Sequence, residues 1–489
     1  MAVKKIARGL IITGIAGIVF SLAFTILFTA GTGTSSIQIL GIEISIILIL
    51  LGTWLLRAET DEKFQPGEQI HALVDKILNF PTITWVLIGF LIIYFLLFLS
   101  PVFLSPNLEM TYIAGYIPNL NPIGNDLTVM LDLIKEWVSS AQSPYTIQFY
   151  PPLTYIIFAP LLLINNPLTV YRLFTLFTFL SYCILTLLLP LKIIDRKYFS
   201  LALLLFVTGL FSYGFQFELE RGQYNVFTFV LCLASIYIFH YHPKYRLLAY
   251  LLFSLSIQLK LYPAIFILMF VDDWRDWKNV LRRFLGIGLF NLLLFLVMGY
   301  QTFWDFIRSV TAQVVNPSWI GVWNHSISSF VSVAKQDGFG LVGIEMLRTF
   351  RHNSAWVEAF LLLLFLVLFL SALIIFYLRK EAGLDPYLLL SCTIGALILP
   401  ISYDYTLSIL AAPMLLFLCA TEIHGAKPRF LSILLILAIS ATYFTTLIPY
   451  NYRPYSLHNS LPLLFLILIL ATIMNFLRYR NERVQAVKN

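Results

Sequence analysis

The sequence predicts an all-α polytopic integral membrane protein, and three observations carry that prediction. Of its 489 residues 59% are hydrophobic and only 12% charged, whereas a soluble domain carries roughly 25% charged residues. Mean hydropathy is +0.85. Apolar runs of helical length recur along the chain, and basic clusters separate them with a consistent sidedness. The formal charge of +7, from 32 Lys+Arg against 25 Asp+Glu, sits mostly in short loops, so it reports topology and not nucleic-acid binding.

Candidate spans lie near residues 10–30, 37–56, 84–103, 168–190, 199–216, 224–241, 247–260 and 262–271. Others lie near 281–300, 356–378, 386–402, 405–422, 429–448 and 460–478. Counting short pieces, the chain holds about 13–15 membrane segments. The N-terminus opens with Lys4, Lys5 and Arg8. The apolar run after them is too long for a signal peptide and lacks a cleavage site, so it reads as a retained first helix. The later basic clusters (Lys192/Arg196/Lys197, Lys244/Arg246, Arg275/Lys278/Arg282/Arg283, Arg379/Lys380, Lys427/Arg429 and Arg478/Arg480/Arg483) fall on the same side as the N-terminus. The positive-inside rule makes that side cytoplasmic.

The opposite side receives two long loops, 105–149 and 301–355, and a shorter one at 449–459. A full crossing by residues 150–164 would invert everything downstream, so a protein-covered half-crossing is expected there. The expected organisation is an N-terminal two-helix extension with its charged loop (1–82), a main membrane domain (83–425), and C-terminal helices with a basic tail (426–489). Cys183, Cys232, Cys392 and Cys419 all fall in apolar segments without a pairing spacing, which predicts neither a disulfide framework nor a metal site. There is no P-loop, HExxH or GxSxG, and no inverted-repeat pattern of a secondary transporter.

Lys260 is the most informative residue. It lies in the apolar stretch 247–270, where a lysine costs about 2.5–3.5 kcal/mol to insert and so faces a cavity or an anion. Leu261-Tyr262-Pro263 follows, and proline breaks the helix and frees backbone groups. Two half-length helices meeting at Lys260 are expected, with an anion-receiving pocket at the break.

In the first long loop, Leu127, Met130, Leu131, Ile134, Trp137 and Val138 recur with the period of an amphipathic helix on the membrane face. Asp126 opens that helix as its N-cap. The same position also fixes a carboxylate in orientation, and Asp132 is the alternative acid. Ser143-Pro144-Tyr145 and Tyr150-Pro151-Pro152 mark a rigid entry into the membrane. The run from Phe217 to Asn225, with Glu218, Glu220, Arg221, Gly222 and Gln223, is either a polar cavity lining or a hydrated turn with an internal ion pair. In the second long loop Trp319 and Trp323 are either interface anchors or sugar-stacking surfaces, beside Asn324, His325 and Ser326. Tyr403, Asp404 and Tyr405 break the apolar run on the same membrane face.

Taken in order, these residues resemble the GT-C glycosyltransferases of the DUF2029 or GT87 type, the polyprenyl-phosphate-dependent mannosyltransferase-like proteins. The matching steps are Asp126, Pro144-Tyr145, Tyr150-Pro151-Pro152, Gly222-Gln223-Tyr224-Asn225, Lys260-Leu261-Tyr262-Pro263 and Asn324-His325-Ser326. They cover roughly residues 84–425. The chain departs from the family where a His often follows a Pro-x-Ser step, because here the sequence reads Tyr403-Asp404-Tyr405.

The resemblance implies a GT-C architecture with its active site on the extracytoplasmic face of the cell membrane. It implies transfer of a sugar, mannose or another hexose or pentose, from a polyprenyl-phosphate donor to a lipid- or glycan-linked acceptor, with inversion. Asp126 is then the general base, and Lys260, Arg221 and Tyr262 bind the donor phosphate. Gln223, Asn225, Tyr150, Asn324, His325, Tyr403, Asp404 and Tyr405 are the implied substrate contacts. No metal or other cofactor is expected beyond the lipid-linked sugar itself, because fixed cations can meet a monophosphate leaving group. The competing readings are a transporter or flippase of lipid-linked saccharides and a non-catalytic scaffold, the latter leaving the burial of Lys260 without a reason.

Overall fold

Long apolar runs and proline breaks produce long helices in some places and short, interrupted ones in others. The computed structural model describes residues 2–28, 45, 48–49, 52, 81–104, 123–140, 143–145, 149–315, 324–335, 344–379, 383–398, 402–423 and 459–488. The expected spans 37–56 (for the most part) and 429–448, nearly all of the charged loop 57–82, residues 105–122, Trp319, Trp323 and the 449–458 loop lie outside the described residues.

In chain order the helices are α1 (Ala2–Phe28), α2 (Thr82–Leu104), α3 (Asn125–Ser140) and α4 (Pro152–Phe158). They continue with α5 (Pro167–Ile193), α6 (Phe199–Leu210), α7 (Tyr213–Arg221), α8 (Asn225–Tyr241) and α9 (Arg246–Leu259). Next come α10 (Trp277–Phe295), α11 (Tyr300–Val315), α12 (Ile327–Lys335) and α13 (Ile344–Arg379). The last are α14 (Pro386–Ile398), α15 (Ala411–Ile423) and α16 (Leu461–Lys488). Among the described residues there is no strand, only an isolated antiparallel bridge between Asn324 and Tyr403.

Four described helices are long and apolar enough to cross a membrane: Thr82–Leu104, Pro167–Ile193, Arg351–Arg379 and Leu461–Arg483. The third exposes Leu362, Leu363, Leu366, Val367 and Leu370, as a lipid-facing helix must. The protein is thus an all-helical, multi-pass membrane protein.

The chain forms two compact units, Met1–Asn119 with Asp195–Phe211, and Leu120–Ile194 with Ser212–Asn489. The first unit joins α1 to α2 and α6, with Thr84 Oγ1 and Ser200 Oγ 2.7 Å apart. In the first unit, small residues let α1 and α2 touch closely: a β-carbon on Gly9 would lie 2.7 Å from Trp85 Cβ, and one on Gly89 would meet Thr13. Such small-residue contacts drive helix association where lipid removes the hydrophobic gain.

In the second unit, prolines decide the short elements. Pro151 and Pro152 open α4, which tightens into a 3-10 turn over Ala159–Leu163. Its length is about 20 Å against a hydrocarbon thickness of about 30 Å, too short to cross. α9 ends at Leu259, Lys260 is extended (φ −147°, ψ 145°), and a 3-10 helix runs from Tyr262 to Met269. A second 3-10 helix, Asp404–Leu410, precedes α15. The expected loop 301–355 is largely helical: it holds α11, α12 and the start of α13. Only its segments 316–323 and 336–343 lie outside the described residues.

A buried ionic pin ties α13, α14 and α16 together. Asp385 Oδ1 accepts hydrogen bonds from the Tyr387 and Leu388 amides, both at 2.8 Å, and so caps α14. Arg379 Nη1 donates to Asp385 Oδ2 at 3.3 Å, while Arg379 Nη2 and Arg478 Nε reach Glu482 at 3.2 and 2.7 Å. Arg379, Asp385 and Arg478 are all buried. Removing one partner leaves charge buried without its match, at about 3–5 kcal/mol. Asp385→Ala is expected to lower the thermal unfolding temperature of the purified protein markedly, whereas a melting curve unchanged from the native one would show the pin to be dispensable.

Candidate functional site

The site begins with two glycines that let a helix start meet a helix end. Gly222 closes α7 with φ +66°, a left-handed conformation that side chains disfavour. A β-carbon there would lie 2.8 Å from Leu127 Cβ, so only glycine admits α3 this closely. Gly124, with φ 76°, donates its amide to the Glu220 carbonyl at 2.6 Å. The first turn of α3 is thereby pinned beside the turn between α7 and α8.

Asp126 does not cap α3. The helix starts at Asn125, which puts Asp126 inside the first turn, and its carboxylate turns to side chains from the neighbouring turn. Gln223 Nε2 donates to Asp126 Oδ2 at 2.5 Å, and Arg221 Nη1 to Oδ1 at 3.4 Å. The alternative acid, Asp132, is exposed on the far side of the helix. The buried face of α3 is Leu127, Met130, Leu133 and Ile134, while Val138, expected on it, is exposed.

Gln223 is the hub. Its Nε2 also donates to the Tyr150 hydroxyl at 3.1 Å, and its Oε1 accepts from Lys260 Nζ at 2.8 Å. One amide thus joins the expected base to the expected phosphate-binding cation. This accounts for Gln223 as a link between the two groups, where a substrate contact was expected.

Lys260 Nζ lies 4.4 Å from the Tyr150 ring centroid, 4.7 Å from Tyr224 and 5.9 Å from Tyr405. Ring faces stabilise a cation without neutralising it. Among the described residues no carboxylate comes within ion-pair distance of this ammonium. Arg221 differs: Nη1 is 3.4 Å from Asp126 and Nε 3.6 Å from the buried Glu220. Of the two expected phosphate-binding cations, Arg221 contacts acids, and among the described residues Lys260 contacts none.

The Tyr262 hydroxyl, expected at the phosphate, donates instead to the Asn225 carbonyl at 2.9 Å and fixes the start of α8. Asn225 itself is buried, and its Nδ2 has no partner among the described residues. Glu218 is buried beneath, accepting from the Val226 amide at 2.8 Å and from the Ser408 hydroxyl at 2.5 Å. It holds α7, α8 and the 404–410 turn together.

Asn324, His325 and Asp404 form a second buried cluster. His325 Nδ1 is 3.1 Å from Asp404 Oδ1 and Nε2 is 3.2 Å from Ser402 Oγ. Asn324 Oδ1 accepts from the Ser326 and Ser402 amides at 3.0 and 3.3 Å. With 0% exposure at His325 and 2% at Asp404, these side chains clasp two chain segments. Tyr403 and Tyr405, on either side of Asp404, reach back to the first cluster. Burial, and then the nearby Asp126 carboxylate, push the phenols of both Tyr150 and Tyr403 above their ordinary range, so both stay protonated hydrogen-bond donors.

Residues 149–402, just over half of the chain, match the family profile of glycosyltransferase family 87. The chain belongs to that family. No curated protein and no solved structure matches it. The family 87 span includes Tyr150, Arg221, Gln223, Asn225, Lys260 and Tyr262, and leaves out Asp126 and Tyr403 to Tyr405. In this glycosyltransferase, sequence reasoning left two parts of the site unassigned. Tyr224 enters the sequence reading only as the residue between Gln223 and Asn225, although a tyrosine next to Gln223 is itself a signal. Glu220 stood in the polar run, but only packing tells a buried acid from a hydrated one.

Replacing Gln223 by leucine removes three hydrogen bonds together and leaves the half-buried Lys260 ammonium and Asp126 carboxylate each short of a partner, at up to about 1–3 kcal/mol for each group. Gln223→Leu is expected to lower the melting temperature more than Tyr150→Phe, which removes only one of the three. Equal melting temperatures in the two variants would show that the amide is not the link.

Proposed function

We propose that this glycosyltransferase moves a sugar, mannose or another hexose or pentose, from a polyprenyl-phosphate donor to a lipid- or glycan-linked acceptor, with inversion, on the extracytoplasmic face of the cell membrane. The observation that carries the reading is the state of Lys260. Its ammonium sits at a helix break in a membrane protein, held by a neutral amide and three tyrosine rings, with no carboxylate of the described residues in contact. A cation kept unneutralised at that depth favours an anionic ligand, and a lipid phosphate presents its charge where the tails enter the bilayer.

In this mechanism Lys260 meets the phosphate, and Arg221, shared between Asp126 and Glu220, orients the base instead of binding the donor. Asn225 Nδ2 is a further donor for the phosphate or the sugar. The acceptor hydroxyl attacks the anomeric carbon as Asp126 takes its proton. The new carbon–oxygen bond forms on the face opposite the breaking carbon–phosphate-oxygen bond, whose electron pair leaves with the phosphate. Lys260 stabilises the charge that develops there. Because that charge is met by a fixed cation, the reading calls for no divalent metal. The 1–82 segment is an accessory extension and the 426–489 helices complete the membrane domain.

The first test uses undecaprenyl phosphate and its mannosylated form with purified protein in nanodiscs. Lys260→Ala is expected to lose most lipid-phosphate affinity, while Asp126→Asn keeps donor affinity and loses about 10²–10⁴-fold in transfer rate, the usual contribution of a general base. Unchanged affinity in folded Lys260→Ala, or near-native turnover in Asp126→Asn, would refute the respective role.

The second test concerns sidedness. Ser140, exposed at the end of α3, should react with a membrane-impermeant thiol reagent in intact cells after Ser140→Cys. Labelling that requires permeabilisation would put the site on the cytoplasmic face.

A further inference from the structure

We infer that a cavity between residues 143–145 and α11 is the subsite for a neutral, hydroxyl-rich acceptor, the sugar moiety that receives the transferred residue. The inference rests on the reading of this family 87 chain as a transferase with a saccharide acceptor. The cavity measures about 440 Å³ and is lined by Ser143, Tyr145, Asp305, Arg308, Ser309, Ala312 and Gln313, within the roughly 300–1,000 Å³ of small-molecule sites.

Its position follows from one bend. The axis turns by 105° between Trp277–Phe295 and Tyr300–Gln313, so α11 lies across the direction of α10. Tyr300 and Trp304 are exposed on α11, as aromatic anchors of an interfacial helix are. Asp305, Arg308, Ser309, Ala312 and Gln313 recur at i, i+3, i+4, i+7 and i+8, which puts them on one stripe. A merely solvated stripe would explain their polarity. It would not explain why they border a cavity whose opposite wall is rigid.

That wall is Tyr145. Its ring packs edge-on against Tyr155 at 5.7 Å and at a tilt against Phe306 at 5.6 Å, and Phe306 stacks on Phe295 at 5.5 Å. Its hydroxyl donates to the Tyr150 carbonyl at 2.9 Å, and the Tyr150 ring lies against Lys260. The cavity wall and the Lys260 cage are therefore two ends of one short segment, which sets an acceptor beside the donor phosphate site. Burial and the facing Asp305 keep the Tyr145 phenol protonated.

The lining chemistry selects the ligand. Asp305 and Arg308 lie 3.8 Å apart, so the charges offset and an anion gains little there. Five of the lining side chains besides Tyr145 offer donors or acceptors, including the buried Ser143 hydroxyl, which has no partner among the described residues. Carboxylate, guanidinium and amide groups suit vicinal hydroxyls, and a fixed aromatic ring suits the C–H face of a sugar.

The experiment uses full-length protein in nanodiscs and saturation-transfer NMR with methyl glycosides of mannose, glucose, galactose and arabinose, each also tested as its octyl glycoside. At least one methyl glycoside is expected to bind, and Arg308→Ala with Gln313→Ala is expected to weaken it about tenfold or more. Undecaprenyl phosphate should bind this double variant as it binds the native protein. Tighter binding of the octyl form that is lost in the same variant identifies a lipid-linked sugar, and equal binding a free glycan. No binding by the whole panel, or binding insensitive to the two substitutions, overturns the inference. Failure of undecaprenyl phosphate to bind the native protein would instead remove the donor reading and leave the saccharide result standing.

Discussion

The geometry of the site depends on one neutral side chain held between a cation and an anion. Gln223 donates to Asp126 and accepts from Lys260, and this keeps the two opposite charges apart by the width of an amide. Direct contact would cancel both in a medium of low dielectric. The amide holds both groups in orientation and keeps the Lys260 ammonium out of contact with the Asp126 carboxylate, which Arg221 meets instead.

That arrangement explains the strictness of the surrounding structure. Gly222 must be glycine because α3 comes within contact of its backbone, and without that approach Asp126 would not reach Gln223. Pro151 and Pro152 turn the chain so that Tyr150 lies under Lys260. Glu218 clamps the start of α8 to Ser408, and the His325–Asp404 clasp steadies the strand-like pairing of Asn324 with Tyr403. Tyr403 and Tyr405 extend from that clasp toward the site. The second cluster supports the first, which gives a physical role to residues that sequence order alone placed among the substrate contacts.

The broken elements share one cause. Irregular backbone within a membrane protein survives only where protein or a polar cavity satisfies its freed groups. The break at Lys260 is covered by three tyrosine rings, the Tyr262 hydroxyl takes up the Asn225 carbonyl, and the short α4 is held by the Thr154 hydroxyl donating to the Gln258 carbonyl at 2.7 Å. The interruptions thus sit where side chains from distant segments converge.

The sequence by itself determined the helical membrane class, the break after Lys260, the short α4 and the helix that carries Asp126. Each follows from local physics: apolar runs avoid water, proline lacks an amide hydrogen, and an amphipathic period lays a helix on a surface. Tertiary structure alone decided which polar groups meet. It turned Asp126 from a helix cap into a partner of Gln223, gave Arg221 to two acids and set the Gln223 amide against Lys260. It also buried His325 against Asp404 and made a helix of much of what reads as loop after residue 300. Those outcomes join residues 37, 79 and 97 positions apart, and no periodicity or composition encodes contacts at such separations, because they form only when helices pack.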